Sequence, residues 1–391
     1  MKRIITLLLI FVSSFYSYSQ DTEFKIDSII KQNVKESSIV GISIGIVHNG
    51  NSFTKNYGTT DTSKKNKISD STMFHIASIS KLYTTIAILQ LVEQGELKLT
   101  DHLVDILPSF KMKDKRYKQI TIEHLLTHSS GLTWDNKLKK SPDNHSSIEL
   151  YLNNLNNQKL NFKPGEKSSF KTYSNIGFDL LGIVIETVSG IHFDKYVQEN
   201  ILEPLEMYKS TYFYEDIDST ELAIPQIISG NSKKVKRLNF YGIDDSKKPI
   251  LNGEPLNILS YQVYGEDYEH NPSGNLISSS KELNLWTNHL LNIYKNNNFK
   301  GVLSRESLID MWNSHRKINN QSSFGWCWWI DNEDEYGKSV YHGGSYTGFS
   351  SLVIIYPEQD FGITILCNGW YGQNAIWKNI SKEIIKLYLK K

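Results

Sequence analysis

Cysteine is almost absent: 391 residues hold only two, Cys327 and Cys367. Two thiols cannot frame a disulfide-built scaffold, and without a CxxC pair they do not form a thiolate metal site. Both lie in strand-like runs, Phe324 to Ile330 and Ile363 to Cys367. A cysteine there ordinarily acts as a small buried hydrophobe, so two free, buried thiols are expected. Long apolar runs are also missing. Ile4 to Val12 is too short to span a bilayer. It follows Met1-Lys2-Arg3 and precedes a small, polar tail from Ser13 to Gln20, the pattern of a secretory signal peptide. The expectation is cleavage near Ser19 or Gln20, a periplasmic or secreted product, and no stable membrane anchor afterwards. An excess of one charge is the third absence: 43 Lys and Arg stand against 42 Asp and Glu, a net charge of +1. Loss of Lys2 and Arg3 moves it little, so neither nucleic acid nor an anionic membrane is indicated as a partner.

Behind the leader, about 370 residues suit one large domain or two interleaved ones. Residues 21–34 have helical spacing (Phe24, Ile26, Ile29, Ile30, Val34). Gly41 to Val47 alternates, with Ile42, Ile44 and Ile46 on one face and Ser43 and Gly45 on the other. Asn49-Gly50 is the favoured hairpin pair, and Ser52 to Tyr57 returns. Near the other end, Trp326 to Ile330, Ser339 to Tyr346, Ser351 to Tyr356 and Gly362 to Asn368 read as strands. Ala375 to Leu389 reads as an amphipathic helix. The centre is mostly helical. The predicted fold class is therefore mixed α/β: an antiparallel sheet built from both ends of the chain (21–70 with 300–391), flanked by helices, with an inserted, mostly helical part at 71–299. Residues 215–270 lack periodicity and read as an irregular stretch bordering a cleft, with a solvated basic run at Lys233 to Arg237.

The chemistry centres on Ser78-Ile79-Ser80-Lys81. A serine hydroxyl is a poor nucleophile until a base takes its proton, and positions i and i+3 of a helix are neighbours. The motif alone is weak, since Ser-x-x-Lys begins six times, at Ser28, Ser52, Ser78, Ser168, Ser278 and Ser314. Context singles out Ser78. Leu82 to Val92 is apolar almost all round and Gly95 supplies a stop, which describes a buried helix. Its first turn then opens inside the protein, offering backbone N–H groups and a partial positive charge to an oxyanion. Burial also disfavours the charged form of Lys81, and only a neutral amine accepts a proton.

Two further patterns complete the set. Tyr173-Ser174-Asn175 precedes an amphipathic segment, Gly177 to Val188. A phenol titrates at about 10 in water, but beside a lysine its anion is favoured and it can work as acid or base. His342-Gly343-Gly344-Ser345 puts two glycines into a strand, a mark of close approach by another backbone or a ligand.

Ser78-x-x-Lys81, Tyr173-x-Asn175 and His342-x-Gly344, in this order, resemble the serine β-lactamase and penicillin-binding-protein superfamily, in its class C branch. That branch also holds D-alanyl-D-alanine carboxypeptidases, D-aminopeptidases and family VIII esterases. The run His124-Leu125-Leu126-Thr127-His128-Ser129-Ser130-Gly131-Leu132 and the segment His342 to Ser351, followed by Tyr356-Pro357-Glu358, are similar to the same branch. The resemblance implies Ser78 as acylated nucleophile, Lys81 as its proton partner and Tyr173 as the base that later activates water. It further implies Asn175, His342 and Gly344 as substrate-binding residues, and the N–H groups of Ser78 and Ser345 as an oxyanion hole. The chain departs from the lactamase pattern at His342, where a lysine usually holds the substrate carboxylate, and at Glu206, where relatives carry glycine.

The rivals fare worse. Gly343-Gly344-Ser345-Tyr346-Thr347 misses the Gly-x-Ser-x-Gly elbow of an α/β-hydrolase at its last position. His124 and His128 have zinc-ligand spacing, but Leu125 stands where a zincin carries glutamate, so both histidines read as structural. No metal or cofactor is expected, and the protein reads as a monomer acting on a small molecule or peptide. The expected activity is hydrolysis of an ester or amide through an acyl-enzyme, as a peptidase or esterase rather than a true β-lactamase. The alternative is a catalytically weak penicillin-binding protein, or an acylated sensor or cell-wall-binding protein.

Overall fold

The computed structural model describes residues 23–33, 39–61, 65–133, 148–167, 169–228, 270–346, 348–369 and 379–390, and three short strand pieces within 250–260. The expected leader, residues 1–20, and the basic run at 233–237 lie outside the described residues.

Alternation in β1 (Gly41–His48) sets the architecture. Ile42, Ile44 and Ile46 point to one side of the sheet, where they pack with Ile26 and Ile30 of the helical residues 23–33 and with Ile380, Ile384 and Ile385. The last two sit on α4 (Ser381–Leu389). On the other side, Ser43 Oγ lies 2.5 Å from Ser280 Oγ at the start of α3 (Ser280–Lys295). Gly45 is required there: a Cβ would stand 2.2 Å from Asn284 Oδ1 and 2.6 Å from Thr364 Oγ1. The turn to β2 (Asn51–Gly58) has φ of 52° at Asn49 and 73° at Gly50, the mirror-image turn that Asn-Gly favours.

Six C-terminal strands complete the sheet: β3 (Arg316–Lys317), β4 (Ser322–Phe324), β5 (Trp329–Asp334), β6 (Gly337–Tyr346), β7 (Phe349–Tyr356) and β8 (Phe361–Cys367). The order is β2-β1-β8-β7-β6-β5-β4-β3, antiparallel throughout, and β1 pairs with β8 from Ile42–Cys367 to His48–Phe361. The N- and C-terminal strands thus meet within one sheet, between its second and third strands.

Of the expected strand Trp326 to Ile330, only Trp329 and Ile330 are strand, opening β5. Cys327 has φ +69° and sits in the turn before β5, its N–H donating to Leu126 O at 3.0 Å. Both thiols are free and buried. β3 and β4 were not expected, being too short and polar to show a period. The last helix is described from residue 379, so the expected start at Ala375 lies outside the described residues.

Between the two halves of the sheet run α1 (Ser80–Glu93) and α2 (Asn175–Ser189). Every residue of α1 from Ser80 to Leu91 is buried. Its end is set by Gly95 at φ +77°, with Gly95 N–H bonded to Val92 O and Glu96 N–H to Leu91 O, a Schellman closure. Glu206 adopts φ +59°, which explains why glycine suits this position. Part of the stretch read as irregular forms two small antiparallel ladders, Gln226–Ile228 with Ile258–Ser260 and Ile250–Leu251 with Glu254–Pro255. Gln226 N–H donates to Gly348 O at 3.2 Å, which ties this stretch to the turn after β6.

Candidate active site

Ser78 sits in a single 3₁₀ turn, Ala77–Ile79, that feeds directly into α1. The residue before it, Ala77, is held at φ +51°, a left-handed conformation that costs a non-glycine residue energy and persists only when its surroundings impose it. The surroundings are visible. Ala77 N–H donates to His75 Nδ1 (3.1 Å), and Ala77 O accepts from Ser80 Oγ (2.6 Å). Ile76 O accepts from Ser351 Oγ of β7 (2.6 Å), and Ile76 N–H donates to Leu276 O (2.9 Å). Each peptide group flanking the strained residue is thus fixed by a different element, and the half-buried Ser78 is presented at the apex.

One turn on, Lys81 is fully buried. Its Nζ lies 3.2 Å from Ser78 Oγ, 2.8 Å from Asn175 Oδ1 at the start of α2, and in hydrogen-bond contact with the carbonyl oxygen of Ser273. The last two groups are acceptors only. A neutral amine has two protons, and these acceptors can take both, leaving the lone pair toward the Ser78 hydroxyl.

Tyr173 reaches the same point from another side, its ring centre 5.0 Å from Lys81 Nζ. The segment bearing it is anchored by Ser174, the N-cap of α2, whose Oγ accepts from Gly177 N–H (3.2 Å) and donates to Thr133 O (2.7 Å). Ser174 N–H donates to His128 Nδ1 at 3.1 Å, and the His128 ring packs 4.2 Å from that of Tyr173. Burial holds the His128 imidazole well below its usual pKa, and a protonated Lys81 would hold it lower still.

β6 forms the third wall. Gly344 faces the Ser78 turn so closely that a Cβ would stand 2.1 Å from Ser351 Oγ, 2.3 Å from Ile76 O and 3.0 Å from Ala77 Cβ. The β5–β6 ladder ends at Trp329–Tyr341, so His342 to Tyr346 extend past it, with Ser345 opposite Ser350 of β7. His342 is 1 % exposed and lies 6.2 Å, ring to ring, from Tyr173. Its Nδ1 is 2.8 Å from Gly343 O, a contact that requires a proton on Nδ1. Burial is the main cause that pushes its pKa down to about 3.

Ser78, Lys81, Tyr173, Asn175, His342, Gly344 and Ser345 therefore converge from three segments distant in sequence. Three residues escaped the sequence reading. Ser273 supplies a Lys81 acceptor from 192 positions away, and the available signal was the Asn271-Pro272-Ser273-Gly274-Asn275 turn immediately ahead of the Ser279 N-cap. His75 and Ser351 brace the Ser78 turn and gave no local signal. His124 behaves as expected of a structural residue, its Nδ1 accepting from Thr121 N–H within a capping box.

A sequence profile of the Beta-lactamase family matches residues 26–380. The chain belongs to that family. Within it, the chain is similar to Protein flp of Staphylococcus aureus (strain NCTC 8325 / PS 47), 29% identical over 362 residues that make up 90% of this chain and 64% of the relative. It is also similar to penicillin-binding protein 4* of Bacillus subtilis (strain 168), 25% identical over 326 residues, 80% of this chain and 64% of that one. The chain thus spans just under two thirds of the length of these curated relatives. In structure it resembles the octameric penicillin-binding protein homologue from Pyrococcus abyssi, with a TM-score of 0.71 and 26% identity, covering 93% of this chain and 79% of the other. The mixed α/β fold with its large antiparallel sheet is that of the Beta-lactamase family and its penicillin-binding relatives.

Proposed function

We propose that this chain is a serine hydrolase that cleaves an ester or amide through an acyl-enzyme on Ser78, as a peptidase or esterase rather than a β-lactamase. The observation that carries the reading is the buried Lys81 amine, 3.2 Å from Ser78 Oγ and bound on its other sides by Asn175 and Ser273. In the first step Ser78 Oγ attacks the substrate carbonyl carbon while its proton passes to neutral Lys81. The oxyanion is held by the N–H groups of Ser78 and Ser345, donors of the kind worth a few kcal/mol in acyl transfer. The carbonyl re-forms as the alcohol or amine leaves with a proton relayed from Lys81. Water then attacks the acyl carbonyl carbon, its proton passing to the Tyr173 oxygen as the phenol proton moves to neutral Lys81, and Lys81 gives that proton to Ser78 Oγ as the acyl–Oγ bond breaks and the acid leaves.

Substrate preference follows from His342. A fixed ammonium attracts a carboxylate at any physiological pH, whereas an imidazole does so only when protonated. With the His342 pKa pushed down to about 3, the position that carries lysine in lactamases is neutral here. Secretion after loss of the leader is part of the same proposal. No single helix among the described residues is long and apolar enough to cross a membrane.

A panel of short acyl esters, D-amino-acid peptides, penicillins and cephalosporins tests the reading. Esters or peptides should turn over much faster than either class of β-lactam, and His342→Lys should narrow the gap. Efficient cephalosporin hydrolysis with esters untouched would overturn the substrate ranking. Acylation without turnover of any substrate would favour an acylated sensor.

A further inference from the structure

We infer that His128 is a positioning residue for Tyr173: its Nδ1 holds the peptide N–H that follows Tyr173 and so fixes the phenol beside Lys81. The inference rests on the proposal that Tyr173 is the base for release of the acyl group. It gives a task to the run His124 to Leu132, in which both histidines otherwise read as structural.

Three features separate this role from simple packing. The first is chemical. Ser174 N–H donates to Nδ1 at 3.1 Å, which demands a lone pair there and places the ring proton on Nε2. The imidazole works only as the neutral form, and its burial at 2 % exposure keeps it so. The second is conformational. His128 is held at φ +51°, a region uncommon outside glycine in which histidine and asparagine are enriched and bulkier residues such as phenylalanine are not. The third is the platform beneath it. The segment 127–133 is tied down by Thr127 Oγ1 to Glu123 O (2.7 Å), Gly165 N–H to Ser129 O (2.8 Å) and Asn161 N–H to Gly131 O (2.8 Å). It then grips the residue after Tyr173 twice, through His128 Nδ1 and through Thr133 O. Phe178 and Phe324 close the far sides of the His128 ring at 5.1 and 5.4 Å, so the imidazole has little room to turn.

A phenylalanine at 128 would supply the same aromatic surface but no acceptor. An asparagine would offer Oδ1 near the place of Nδ1. A glutamine would put its oxygen one bond farther out, nearer the place of Nε2. Rapid-mixing kinetics with a chromogenic ester separates acylation of Ser78 from release of the acyl group, and the burst amplitude counts competent sites, so misfolded protein drops out of the rates. His128→Phe should slow release per titrated site on the order of 10- to 100-fold, because small misplacements of a reacting group are costly, and should slow acylation much less. His128→Asn should return release to within about threefold of the native rate, since the lost bond is restored. If the phenylalanine protein yields no titratable sites, the Asn and Gln proteins make the same comparison, with Gln the slower. Unchanged release per site in His128→Phe, or equal release in the Asn and Gln proteins, would overturn the inference. Failure of the underlying reading looks different: the native protein would show no acyl-enzyme, or Tyr173→Phe would release the acyl group at the native rate.

Discussion

On one face of the sheet, Ile42, Ile44, Ile46, Ile363 and Ile365 meet Ile26, Ile30, Ile380 and Ile384 in a purely packed layer. On the other, around Ser78, Gly344, Ser351, His75 and Ser80 meet backbone carbonyls, an amide and a strained alanine. The first face is held by apolar area removed from water, which is non-directional and tolerant of small shifts. The second is held by directional hydrogen bonds around a backbone conformation that the surroundings impose. That division lets the isoleucine layer supply stability while the Ser78 face keeps buried imidazoles and a buried lysine that a stability-driven design would avoid. Damage to the first face should therefore appear as lost stability with intact chemistry, and damage to the second as lost chemistry first.

The largest effect belongs to Lys81. Lys81→Met keeps the apolar stem and removes the amine, and acylation should fall on the order of 10⁴-fold, as loss of a proton acceptor does elsewhere. Near-native acylation rates would show that the proton goes elsewhere. Next comes Gly344→Ala. With 2.3 Å between the new Cβ and Ile76 O, β6 or the Ser78 turn must move, and kcat/KM should drop by about 100-fold with a smaller change in Tm. A native rate would mean that the contact yields without disturbing Ser78.

The opposite face gives the contrasting result. Ile44→Ala, in the fully buried layer, should cost about 2–5 kcal/mol of unfolding free energy in denaturant, while kcat per titrated site stays at the native value. A parallel loss of kcat would show that the two faces are coupled.

The last test is with acid. His75 and His342 both have pKa values lowered from 6.5 to about 3, chiefly by burial. Between those values the unfolded chain binds more protons than the folded one, so stability rises with pH. It should be fully present above pH 6.5 and lost as the pH falls toward 3, and His342→Phe should flatten part of that slope. A slope that is the same in the variant would place the acid sensitivity elsewhere.

The apolar face was almost wholly legible in the sequence, and the Ser78 face only in outline. Alternation in Gly41 to Val47 and the Asn49-Gly50 turn report local geometry, so the hairpin could be read directly. Ser78 stood out because the helix after it is apolar all round, and Asn175 and Gly344 because their motifs travel with it. What holds them did not show. Ser273 approaches Lys81 through a carbonyl, which any residue could supply. His75 and Ser351 act on peptide groups across long sequence separations, and Cys327 leaves its strand-like run because the chain turns there to reach Leu126. Contacts made by backbone atoms leave little trace in side-chain pattern.

The central claim is that Ser78 becomes acylated, and peptide mapping tests it most directly. The native protein and Ser78→Ala would each be exposed to an activated ester and to a penicillin, quenched in acid, digested, and examined by mass spectrometry. The account predicts one acyl adduct, on the peptide carrying Ser78, absent from Ser78→Ala, and longer-lived in Tyr173→Phe than in the native protein. An adduct on another serine, or one that persists in a folded Ser78→Ala protein, would contradict it.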